Sequence, residues 1–181
     1  MIEATKYDEL RRYTCDDYLE WEDRWELIDG IAYDMSPAPY PKHQRIVFGI
    51  ARELDSNIDC KKCKVYISPI DWKINYDTIV QPDVAIFCEE TTKQYFSKTP
   101  PIVVEVLSKS TALKDVTTKY KLYEKMGVEF YIIIEPSTEL TDIFRLIDGK
   151  YQLIKKFTRE DSYKFEWGDG CSSEIDFGRV F

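Results

Sequence analysis

Two carboxylates stand where a strand-forming sequence places a charge only for a reason. Glu105 interrupts Ile102-Val103-Val104-Glu105-Val106-Leu107, and Asp83 opens the apolar run of Gln81-Pro82-Asp83-Val84-Ala85-Ile86-Phe87. A bare carboxylate in a buried strand costs roughly several kcal/mol unless a cation meets it. Strand alternation puts Glu105 on one face with Val103 and Leu107, and Ile102, Val104 and Val106 on the other. Both faces are apolar, so this strand is central in its sheet. Pro82 lacks an N–H and suits the start of a strand, which leaves Asp83 at a strand end open to solvent or an ion. On antiparallel neighbours the two carboxylates come within a few ångströms. At about 4 Å and an effective dielectric of about 20 they repel by roughly 4 kcal/mol, a penalty that a divalent cation removes. Oxygen ligands of this kind suit Mg²⁺, with Mn²⁺ as a substitute. Plainer readings stand beside these: Asp83 as a strand-end turn residue, and Glu105 as half of a buried ion pair with a lysine.

The next element supplies that lysine. Asp115, Lys119, Tyr123 and Gly127 recur every four residues, so the first three share one helix face. An ammonium there can swing over the end of the adjacent strand and stabilise charge on a phosphate or orient a water. A solvated surface lysine is the alternative. Elsewhere, Thr14 caps a short acidic helix through Trp21, and Trp25–Ile28, Asp29-Gly30 and Ile31–Met35 form a hairpin with a type I′ turn. Ser36-Pro37-Ala38-Pro39-Tyr40-Pro41 is a loop. Lys42 to about Ile58 is a helix whose apolar face holds Ile46, Val47, Ile50, Ala51 and Leu54. Lys64–Ile74, broken at Ser68-Pro69, Val80–Cys88, Ile102–Leu107 and Glu129–Glu135 are strands. Asp115–Met126 is a helix stopped by Gly127. Thr141–Ile147 and Tyr151–Phe157 make a second hairpin, and the tail adds one edge strand. The order predicts an α/β fold, a mixed β-sheet flanked by helices with hairpins at both ends, in a single domain spanning residues 1–181 with its core at about 40–136.

Composition narrows the chemistry. The chain of 181 residues carries a formal charge of −8, concentrated at Asp16, Asp17, Glu20, Glu22, Asp23 and Glu26. Sequence-blind binding of nucleic acid by the whole surface is thereby disfavoured. A local basic face built from Lys109, Lys114, Lys119, Lys121 and Lys125 remains open. The single histidine, His43, excludes sites made of several imidazoles. No phosphate loop and no nucleophile elbow occurs, so a nucleotide cofactor is not expected. No stretch is apolar enough to span a membrane, and the acidic start lacks the core of a signal peptide, which together point to the cytoplasm. Five cysteines, odd in number and scattered, read as reduced incidental thiols. Cys60-Lys61-Lys62-Cys63 has metal-ligand spacing, but no second pair follows at a usual interval.

Taken together, Pro82-Asp83, Glu105-Val106-Leu107-Ser108-Lys109-Ser110-Thr111 and Asp115…Lys119…Tyr123…Gly127-Val128-Glu129-Phe130-Tyr131 resemble the Uma2 family, formerly DUF820, of the PD-(D/E)XK nuclease superfamily. Trp25-Glu26-Leu27-Ile28-Asp29-Gly30, Met35-Ser36-Pro37-Ala38-Pro39 and His43-Gln44 fit the same pattern, so the resemblance runs from about Thr14 to Pro136. It implies a restriction-endonuclease-like core and Mg²⁺-dependent hydrolysis of DNA phosphodiesters. By that resemblance Asp83, Glu105 and the backbone carbonyl of Val106 are the metal ligands, and Lys119 is the third catalytic member. The superfamily's usual lysine lies two residues after the glutamate, where this chain has Leu107; the Uma2 pattern carries its lysine on the following helix instead. Glu26 and His43 are secondary candidates, each with a scaffold reading beside it, and Glu135 reads as a strand-end hydrogen bonder. A homodimer is expected, because cutting both DNA strands at once needs two sites. The main competing expectation is a nuclease fold that binds DNA or a protein without cutting. A third is an interaction protein in which Glu105 and Lys119 are only a buried ion pair.

Overall fold

The structure, a computed structural model, describes residues 11–36 and 40–181. The acidic start and residues 37–39 of the proline-rich loop lie outside the described residues. Thr14 caps α1 (Cys15–Leu19) in a reciprocal box with Asp17. β1 (Trp25–Ile28) and β2 (Ile31–Asp34) then pair through Asp29 and Gly30, both at positive φ as a type I′ turn requires. α2 (Pro41–Ser56) starts on a proline and buries Ile46, Val47, Ile50, Ala51 and Leu54, the face expected from periodicity. β3 (Lys64–Ile67) and β4 (Asp71–Asn75) are separated at Ser68-Pro69. β5 (Thr78–Val80), β6 (Val84–Phe87), β7 (Tyr95–Phe96) and β8 (Ile102–Val106) follow. One helical rod then changes its winding along its length: α3 (Ala112–Lys114), a π-helical turn (Asp115–Lys119) and α4 (Tyr120–Met126). Gly127 at φ 80° ends it. β9 (Phe130–Glu135), β10 (Leu140–Ile147), β11 (Lys150–Phe157), β12 (Ser162–Trp167) and β13 (Cys171–Asp176) complete the chain with a short 3₁₀ turn, Phe177–Arg179.

The central layer is a six-stranded mixed sheet in the order β11-β10-β9-β8-β6-β3, with β8 parallel to β9 and antiparallel to β6. One face, carrying Val84, Ile86, Ile102, Val104 and Val106, packs on α2 and the β12–β13 hairpin. The other carries Ala85, Phe87, Val103, Tyr131 and Ile133 and packs with Trp72, Tyr123 and Val128. A second sheet, β2-β1-β5-β4-β7, lies on this second side. Every residue of β8 is buried, as a central strand demands. α2 also meets the C-terminus closely: a Cβ on Gly49 would come within 2.5 Å of the Val180 carbonyl oxygen, so only glycine allows that approach.

Three expectations are corrected. The run Val80–Cys88 is two strands in two sheets, because Gln81-Pro82-Asp83 interrupts the pairing and Pro82 has no N–H to offer a ladder. Before β8, β7 pairs in parallel with β4. The tail forms a two-stranded hairpin of its own. The cysteines are not scattered thiols: Cys60 is joined to Cys171 and Cys63 to Cys88, leaving Cys15 as the free thiol. The paired cysteines lie 111 and 25 residues apart, separations that no local spacing rule reads.

Candidate active site

The β6–β8 register pairs Val84 with Val104 and Ala85 with Val103, and its continuation sets Asp83 opposite Glu105 where the two strands end. The side chain of Asp83 closes that end: its Oδ2 accepts the Val106 N–H at 2.8 Å. The same oxygen lies 3.2 Å from Nε2 of His43, which the first turn of α2 carries inward. The antiparallel arrangement expected of the two acidic strands is therefore present.

Lys119 is the hub of the second half of the site. Only 1 % exposed, it sits with Nζ 2.7 Å from Glu26 Oε1, 2.8 Å from Glu105 Oε1 and 3.7 Å from Asp115 Oδ1. Tyr123 donates its hydroxyl to the same Glu105 oxygen at 2.9 Å. Asp115, Lys119 and Tyr123 thus share one buried face, as their spacing predicts. The π-helical turn shifts that face relative to α3, and such turns recur at functional sites. It also lets Lys114, five residues before Lys119, turn inward to place Nζ 2.5 Å from Glu26 Oε2. Glu26, fully buried on β1, additionally accepts the Gln81 N–H at 2.8 Å. Glu26 is thus an interior member of the cluster. The basic helix face is corrected accordingly: Lys119 and Lys114 point into the acidic cluster, while Lys109, Lys121 and Lys125 are exposed. Glu135 lies elsewhere and accepts from the Ser137 N–H and hydroxyl, the strand-end role expected of it.

Electrostatically the cluster is short of positive charge. Four carboxylates, Glu26, Asp83, Glu105 and Asp115, face two lysines and one imidazole. Burial drives the Glu105 carboxyl well above its usual range; Lys119 opposes this, and the charges of Asp115, Asp83 and Glu26 add to it. Burial likewise raises Asp115 against the pull of Lys119. Burial would raise Glu26 too, but Lys119 and Lys114 together outweigh it and hold that carboxyl low. Burial acts to lower the Lys119 ammonium, yet Glu105, Glu26 and Asp115 hold it well above the ordinary lysine range. Of the carboxyls that touch Lys119, Glu105 and Asp115 are thus the two that hold a proton more readily, and Glu26 the one that stays ionised. Among the described residues, Asp115 Oδ1 and His43 Nδ1 are buried without a hydrogen-bond partner. A cavity of about 110 Å³ opens over these groups, with His43, Asp83, Glu105 and Lys119 in its wall and Lys109 and Ser110 beside them.

Burial lowers the pKa of His43, but the hydrogen bond and charge of Asp83 outweigh burial, so the folded value is raised. A raised folded pKa means that the pairing stabilises fully below the unfolded value of about 6.5 and is lost as pH climbs through the folded value. In metal-free protein the stability advantage of the parent over His43→Asn should shrink as pH rises above about 6.5, the unfolded imidazole value, read from urea midpoints. A difference that does not change with pH would show that the imidazole is not a charged partner of Asp83.

Sequence spacing missed Lys114 and Gln81. An α-helix turns residues five apart to different faces, so only the π-helical winding explains how both lysines reach Glu26. Comparison with known proteins bears on the family and the fold. The Uma2 family model, described as "Putative restriction endonuclease", matches residues 15–166. An uncharacterized protein of Synechocystis sp. is 27 % identical over 169 residues, covering 89 % of this chain and 88 % of the relative. The crystal structure of a DUF820 protein from Anabaena variabilis, described as "a putative nuclease", superposes with a TM-score of 0.65 at 19 % identity, over 78 % of this chain and 83 % of that one. The fold is thus the restriction-endonuclease-like one. With its acidic strand pair, its helix-borne lysine and a family match over most of its length, the chain belongs to the Uma2 family.

Proposed function

We propose that the protein is a Mg²⁺-dependent endonuclease that hydrolyses phosphodiester bonds of DNA at the Asp83–Glu105 strand ends. The observation that carries this reading is the convergence of the Asp83 and Glu105 carboxylates at one end of the β6–β8 pair, with Lys119 2.8 Å from Glu105 and a cavity opening over both acids. The donors fit a hard cation: the carboxylates of Asp83 and Glu105 and the Val106 carbonyl are all oxygens, and none is a soft ligand. Asp83, Glu105 and the Val106 carbonyl would hold Mg²⁺ or Mn²⁺, which would supply Lewis acidity toward a water and toward the phosphate.

The chain's own residues do the rest. Lys119 and Tyr123 both grip Glu105 Oε1 and fix that carboxylate in one orientation. His43 and the Val106 N–H do the same for Asp83 Oδ2. Lys119 also keeps a full positive charge beside the reacting centre, where low polarity makes it count. It substitutes for the lysine that Leu107 replaces, because the helix brings its ammonium to the carboxylate that the strand position would serve. Exposed Lys109 and Ser110, at the rim, are placed to meet a DNA backbone.

Supercoiled plasmid incubated with protein and Mg²⁺ should be converted to nicked or linear circles, and chelator should stop the conversion. Linear product without a nicked precursor marks the homodimer that paired cuts require. DNA retained in a shift assay but left intact with Mg²⁺ and with Mn²⁺ would overturn catalysis in favour of a binding module.

A further inference from the structure

On the far edge of the six-stranded sheet, independently of the nuclease reading, we propose that Cys60, Cys63, Cys88 and Cys171 form a tetrathiolate Zn²⁺ site in the reduced protein. The four come from three separate segments: the turn between α2 and β3, the residue after β6 and the first residue of β13. The sulfurs of Cys60, Cys63 and Cys171 all lie within 4.8 Å of one another, and Cys88 is bonded to Cys63. Cys60 Sγ and Cys63 Sγ, which belong to different disulfides, are 3.1 Å apart. Two independent staples have no need to touch. A tetrahedral zinc ion does need its ligands gathered, since Zn–S bonds of about 2.3 Å set sulfur–sulfur edges of about 3.8 Å.

The local chemistry fits. Cys60-x-x-Cys63 is a recurring half-site, with its turn closed by the Cys63 N–H donating to the Cys60 carbonyl at 3.2 Å. The second half-site is assembled by the fold from β6 and β13. Soft thiolates select zinc over magnesium, so this site and the oxygen-rich cluster do not compete for one ion. Four protein ligands leave no open position, which makes the role structural. The zinc tetrathiolate carries a net charge of −2, and Lys61, Lys62 and Lys64 stand exposed around it. Its effect is to lock the C-terminal hairpin to the sheet edge, where Asp59 and Ser172 form an isolated backbone bridge.

The redox change balances simply. Each disulfide takes two electrons and two protons from a cellular dithiol, which itself becomes a disulfide. The four thiols then release four protons as four Zn–S bonds form.

Protein expressed in a reducing cytosol, and purified with a phosphine reductant and no chelator, should contain one zinc ion per chain by mass spectrometric metal analysis. Asp83→Asn should keep that zinc and Cys63→Ser should lose it. Should Cys63→Ser fail to fold, unmodified protein stripped of zinc and reloaded with Co²⁺ should show intense thiolate-to-cobalt charge transfer and the visible bands of a tetrahedral sulfur site. Folded, reduced protein without zinc and without cobalt–thiolate bands would overturn the proposal. So would cytosolic protein, isolated without reductant, in which only the Cys15 thiol reacts under denaturing conditions.

Discussion

Replacing Lys119 with methionine should destabilise the protein by about 3–5 kcal/mol, the range for removing one partner of a buried ion pair. Methionine keeps most of the side-chain volume, so the loss isolates charge from packing. Lys119 contacts Glu26, Glu105 and Asp115 while almost wholly buried. Glu26 retains Lys114 after the change, whereas Glu105 keeps only the hydroxyl of Tyr123. A carboxylate left that way takes up a proton more readily. The deficit should therefore shrink as pH falls and Glu105 becomes neutral. Urea midpoints across pH measure both effects. Equal stability of variant and parent would show that the cluster does not anchor the helical rod on β8.

Asp83→Asn and Glu105→Gln should each lower DNA cleavage on the order of 10³-fold, a loss typical of removing a group that stabilises charge in the transition state. Their stability should behave differently from that of the lysine variant. Glutamine keeps an oxygen for Lys119 and Tyr123 and removes a charge that Asp115, Asp83 and Glu26 repel. The Glu105 carboxyl has a folded pKa raised by burial, so the folded state holds its proton more tightly than the unfolded one. Stability is then lost as pH rises from about 4.3, the unfolded glutamate value, toward the folded one. Metal-free Glu105→Gln should escape that loss and melt at or above the parent temperature at neutral pH. A clear drop in its melting temperature would mark Glu105 as a structural ion-pair partner instead.

The legible part of the site is the part built locally. Glu105 shows itself because one charge breaks an apolar strand, and alternation alone assigns its face. Lys119 and Tyr123 follow from helical spacing on the next element. Asp83 follows from Pro82, which marks a strand end. What the chain could not display is what the fold assembles at long range. Glu26 was a secondary candidate only through the family resemblance, and its meeting with Lys114 across 88 residues is set by the fold. The split between β5 and β6 was hidden because a proline-marked strand start and a sheet switch read alike. The tail hairpin alternates too weakly to announce two strands, since its buried positions are mixed with exposed lysine and glutamate. Cysteine spacing failed because the partners of Cys60 and Cys63 are set by tertiary structure.

The most direct test is a crystal of the protein soaked in Mn²⁺ and measured at the manganese absorption edge. One anomalous peak per chain is expected in contact with the carboxylates of Asp83 and Glu105, with Lys119 still on Glu105, and no such peak in Asp83→Asn. Manganese absent from that strand end in a crystal of protein that cleaves DNA, or a peak unchanged in Asp83→Asn, would contradict the proposed site.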